Sequence, residues 1–76
     1  MDYLALGENI RKARKAANLT QEKLSEYVSL SPAFISQIER GTRTPSLETV
    51  CGISATLGVS VDGLLNGVSE IKAVPC

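Results

Sequence analysis

The side chains of this chain that can do chemistry are hydrogen-bond donors rather than catalysts. There is no histidine, which removes zinc fingers, Cys-His nucleophile pairs and imidazole bases together. With no paired carboxylates and no phosphate loop either, we expect neither an enzyme nor a bound metal or cofactor. What remains is a scatter of amides, hydroxyls, guanidiniums and ammoniums along the whole chain. Groups of this kind suit anionic oxygens and the polar edges of bases.

The charge distribution agrees weakly with an anionic partner. The net charge is zero, yet seven of the eight Lys and Arg residues fall within positions 1–43, against five acids. Beyond that point Lys72 faces Glu48, Asp62 and Glu70. The first part is thus positive and the second negative, although ordinary solvated faces give the same count.

Those donors must be held by helices, and the spacing of apolar residues supplies five. Leu6, Ile10, Ala13 and Ala17 recur on one face of a helix from about Tyr3 to Ala17, with Asn18 as a left-handed stop. Thr20 caps a second helix, Gln21 to Val28, with Leu24, Tyr27 and Val28 on its inner side. Ser31 caps a third, which begins at Pro32, where the missing N–H costs nothing. Ile35 and Ile38 face inward and Gly41 ends it. Ser46 caps a fourth, with Leu47, Val50, Ile53 or Ser54, and Leu57 as its buried stripe. Gly52 costs this helix about 1 kcal/mol relative to alanine, and Gly58 stops it. A short fifth runs from about Val61 to Leu65, between Ser60 and Asn66-Gly67. The fold class predicted is all-α: a compact five-helix orthogonal bundle.

At 76 residues the chain holds one domain, with a stability of only about 3–5 kcal/mol. We place that domain at 1–67, with 68–76 as a C-terminal tail that reads either as a frayed strand or as disorder, and that can support a dimer. No stretch is long and apolar enough for a bilayer and no leader is evident. The expectation is a cytoplasmic protein with no membrane contact, whose two cysteines, Cys51 and Cys76, are reduced thiols. Cys51 reads as a small core residue.

Two short, strongly capped helices joined by three or four residues, Leu19 to Gly41, follow the helix-turn-helix plan. Here NIRKARKAANLTQEKLS, SPAFISQIERGTRTPSLETV and LGVSVDGLLNG, in this order and spacing, resemble the phage lambda repressor/Cro-like helix-turn-helix family. The similarity covers Leu6 to Gly67.

The resemblance implies a sequence-specific transcriptional regulator, a repressor by preference, bound to a double-stranded DNA operator. It makes the helix from about Pro32 to Arg40 the one that enters the major groove. Gln21 is then a phosphate contact at a helix N-terminus. Gln37 can pair bidentately with adenine, Ser36 can reach a base or a phosphate, and Pro32 and Ala33 can touch thymine methyls. Ser31 opens the same surface. A tip this apolar implies modest direct readout and more reliance on DNA shape. Arg40, Arg43 and Thr44 follow the backbone, with Lys12 and Lys15 as weaker candidates. Phe34 either packs under the helix or lies against sugars. Arg14 and Glu39 are assigned to an internal salt bridge. Two departures stand out: Ser29 where the family has glycine in the turn, and Ser25 where it has alanine at a tight helix contact.

Family members usually dimerise on paired half-sites, so a homodimer is expected. Val59, Val61, Leu64 and Leu65, with Ile71 and Val74, either form its patch or complete the monomer core. No length remains for a sensor domain, so no small-molecule ligand is expected. The alternative function is a protein-interaction module, an antitoxin or adaptor, on the same fold.

Overall fold

The computed structural model describes residues 3–66. Five helices follow one another: α1 (Tyr3–Ala16), α2 (Gln21–Val28), α3 (Pro32–Glu39), α4 (Leu47–Leu57) and α5 (Val61–Leu64). No strand occurs among the described residues. The tail, with Ile71 and Val74, lies outside them.

The helix starts are legible in the sequence because each is a local event. Thr20, Ser31, Ser46 and Ser60 all have extended backbones, and each hydroxyl accepts the N–H three residues on. That bond satisfies one of the donors that the first turn leaves orphaned. The helix ends share a device too. Asn18, Ser29, Gly41 and Gly58 all sit at positive φ. After each, the next N–H reaches back to the first carbonyl of the last turn: Leu19 to Arg14, Leu30 to Ser25, Thr42 to Gln37 and Val59 to Ser54, at 2.9–3.1 Å. These are Schellman turns, and four in succession fold the chain into a bundle.

The core is Leu6, Ile10, Leu24, Ile35, Ile38, Val50, Ile53, Leu57 and Leu64. It holds α3 between α1 and α2, while α4 closes on α2 and α5 closes on α1. Two contacts that periodicity does not reveal fix α1. A Cβ at Gly7 would overlap the Ile38 and Glu39 carbonyls, so only glycine lets α1 lie this close to α3. Asn9 donates from Nδ2 to the Leu64 and Asn66 carbonyls at 2.8 and 2.7 Å and pins the end of α5.

Several sequence expectations are corrected. Tyr27 is 65% exposed and Leu47 48% exposed, not inward. On α2 the inner face centres on Leu24 and Ser25, which carries Tyr27 roughly a third of a turn outward. Leu47 opens α4 before that helix reaches the core. Ala17 is exposed because α1 ends at Ala16. Of the residues left open between a dimer patch and the monomer core, Leu64 is buried in the core, and Val61 and Leu65 pack against it. Cys51 is half-buried on α4, and Cys76 lies outside the described residues.

Ser25 fits its tight position because its hydroxyl donates to the Glu22 carbonyl at 2.6 Å. No helix of the described residues is long and apolar enough to cross a membrane.

Candidate nucleic-acid interface

The outer face of α3 carries four residues in line: Ala33, Ser36, Gln37 and Arg40. Successive residues of a helix turn by about 100°, and these four project opposite the buried Ile35, Ile38 and Glu39. Ser31, Pro32, Ala33 and Arg40 are exposed, and Ser36 and Gln37 half-buried. The hydroxyl of Ser31 accepts the Phe34 N–H at 3.1 Å. That cap uses a lone pair and leaves the O–H as a donor.

One flank of the stripe is built on charge. Arg14 and Glu39 are both buried, at 8% and 5% exposure. Arg14 Nε donates to Glu39 Oε2 at 2.6 Å, and its Nη2 to Oε1 at 3.1 Å. The third guanidinium nitrogen, Nη1, donates to the Leu19 carbonyl at 2.8 Å. A forked pair of this geometry suits burial, because every polar atom is answered; no buried side-chain nitrogen or oxygen among the described residues lacks a partner. Gln21, half-buried at the first position of α2, joins the pair by donating from Nε2 to Glu39 Oε1 at 3.0 Å. The amide expected to face phosphate is therefore tied to an internal carboxylate.

The other flank is built on a ring. Phe34 is half-buried, and the Arg43 guanidinium lies 5.3 Å from its ring centroid. A cation over an aromatic face is attracted by the ring's quadrupole. The loop from Thr42 to Pro45 thus bends back along α3, begun by two bonds from Thr42, backbone and hydroxyl, to the Gln37 carbonyl at 3.0 and 3.2 Å. Thr44 is exposed beside it and Pro45 is buried. Lys12 and Lys15, with Arg11, are exposed on the outward side of α1.

The structure thus gathers Gln21, the α3 stripe and Arg43 into one surface. Phe34 and Glu39 border the stripe on its two sides, roughly 220° apart across it, so Gln21 and Arg43 flank it from opposite sides. Sequence reasoning missed both tethers. The one available signal for Arg43 was an aromatic on an otherwise polar helix face, nine residues before an arginine.

Known proteins share this fold. A family model described as helix-turn-helix matches residues 10–64. The immunity repressor protein of Bacillus phage phi105 is 33% identical over 69 residues, which is 91% of this chain and 48% of that protein. Control protein C.BamHI of Bacillus amyloliquefaciens is 42% identical over 64 residues, covering 83% of this chain and 79% of that one. The solution structure of the DNA-binding domain of the P22 C2 repressor superimposes with a TM-score of 0.79 at 35% identity, covering 97% of each chain. The chain spans about half the length of the first curated relatives it matches.

Proposed function

The chain belongs to the helix-turn-helix family of DNA-binding transcriptional regulators, and we propose that it binds double-stranded operator DNA sequence-specifically, as a repressor, with α3 in the major groove. The observation that carries this reading is the straddled helix. A groove is bounded by two phosphate rims, and a reader of its floor needs a donor for each rim. Gln21 on one side of α3 and Arg43 on the other supply them, with Arg40 and Thr44 alongside. Between them Gln37 and Ser36 meet base edges, while Pro32 and Ala33 offer only methylene and methyl contact. Phosphate contacts therefore give most of the affinity, and base readout gives less.

Residues 1–67 form the DNA-binding unit and 68–76 a tail. The protein acts in the cytoplasm as a homodimer on paired half-sites about one helical turn apart, without a small-molecule effector. Repression is favoured by the phage immunity repressor among the relatives.

Fluorescence anisotropy with random-sequence duplex DNA at about 50 and 200 mM salt tests the reading. Binding should weaken steeply as salt rises, and Arg43→Ala should flatten the log–log salt slope by about one. A folded sample that binds at neither salt would turn the reading towards a protein-interaction module, an antitoxin or adaptor, for which the apolar tip and zero net charge are the supporting features.

A further inference from the structure

We propose that Glu39 is a positioning residue for DNA binding: through the hydrogen bond from Gln21 Nε2 to its Oε1, it fixes which end of the Gln21 amide meets phosphate. The proposal rests on the reading of Gln21 as a phosphate contact.

A glutamine amide has a donor end and an acceptor end of nearly equal size, and free rotation presents either. Phosphate accepts only, so the acceptor end repels it. Glu39 is buried, and its carboxylate also accepts only. It therefore holds the nitrogen of Gln21 and rejects the flipped amide, which would set two acceptors face to face. The nitrogen carries two hydrogens. One is spent on Glu39, and the second remains for an acceptor outside. The orientation is set before DNA arrives, so binding loses less rotamer freedom.

Arg14 makes this arrangement workable. A bare carboxylate behind a phosphate contact would repel the DNA. The guanidinium covers both Glu39 oxygens, at 2.6 and 3.1 Å, and cancels the charge. Oε1 still has a lone pair for Gln21, because it shares its acceptance between Arg14 Nη2 and Gln21 Nε2. The pair thus links the inside of the bundle to its DNA face.

The test is a double-mutant cycle on affinity for random-sequence duplex DNA at about 50 mM salt. Gln21→Ala is made in the natural chain and in the Arg14→Met/Glu39→Met background, in which apolar residues of similar length replace the pair without stranding a charge. Each protein is first checked for helical content and cooperative melting. In the natural background Gln21→Ala should weaken binding about tenfold or more, the scale of one hydrogen bond to a charged group. In the Met/Met background the same change should cost less than about twofold, a loss of coupling that stability alone does not produce. Equal losses in both backgrounds overturn the positioning role and leave the DNA reading intact. No loss in the natural background overturns the positioning role and the reading of Gln21 as a phosphate contact, while no binding by the folded natural chain overturns the DNA reading itself. Should the Met/Met chain not fold, side-chain relaxation of the Gln21 amide in the natural protein without DNA decides. An order parameter near that of rigid backbone, about 0.85, supports the proposal, and one below about 0.6 overturns it.

Discussion

The two ends of α3 are held by opposite means. At its C-terminal end Glu39 is buried and ion-paired to Arg14, and Gly7 brings α1 up against the backbone of Ile38 and Glu39. At its N-terminal end Pro32 and Ala33 stand in solvent, secured by the Ser31 cap and by the turn before it. One end is fixed by core packing and electrostatics, the other by local backbone chemistry. The difference shows where rigidity is placed: the body of the helix is locked to the bundle, and the tip that meets the groove is left chemically spare.

The largest effect should come from breaking the fixed end. Arg14→Met strands the Glu39 carboxylate, whose side chain is 3% exposed, and should cost about 3–5 kcal/mol. In a domain this small that approaches its whole stability, so urea denaturation followed by circular dichroism should find the variant largely unfolded in buffer. Adding Glu39→Met should restore most of the loss. A single variant as stable as the natural chain would show that the two ends are held equally loosely.

A smaller effect is expected at the flank beside the N-terminal half. Phe34→Leu keeps an apolar side chain on α3 but removes the ring beneath Arg43. Affinity for random duplex DNA should fall about two- to fivefold, the scale of an exposed cation–π contact, with the melting temperature little changed. If Arg43→Ala weakens binding equally with and without the phenylalanine, the ring only packs. If its effect shrinks in the Phe34→Leu background, the ring positions the arginine.

How much of this was legible follows the same division. Caps and stops, Thr20 to Gly58, are decided by residues within one turn of each other, and the sequence places the helix boundaries within a residue of those observed. Tyr27 was misplaced because a three-residue apolar stripe on a short helix does not define its own centre, and Leu47 because it opens α4 before that helix reaches the core. Gly7 and Asn9 gave no periodic signal, since their partners lie on α3 and near α5. The pairing of Arg14 with Glu39, 25 positions apart, came only from family resemblance. The tether of Gln21 to Glu39 and that of Arg43 to Phe34 depend on the packed bundle and were invisible to spacing.

The smallest effect belongs to the turn that leads into the free end. Ser29 and Gly58 occupy the same position in the same motif, with φ, ψ of 58°, 41° and 70°, 27°. In both the left-handed residue closes the helix through one bond to the carbonyl three before it, at 3.4 Å, and its successor closes through the longer reach, at 2.9 and 3.1 Å. Only the side chain differs. Serine in this region costs roughly 1–2 kcal/mol of steric strain, and glycine recovers that at the expense of some unfolded-chain entropy. Ser29→Gly should therefore stabilise the domain by about 0.5–1 kcal/mol. Gly58→Ala, with no atom within 4 Å of the added Cβ, should destabilise it by about 1 kcal/mol through backbone strain alone. Opposite signs in thermal melts would show that the turn before α3 carries strain that the turn after α4 avoids. A Ser29→Gly variant no more stable than the natural chain would mean that the serine is accommodated there without strain, and that the two ends of α3 differ in packing only.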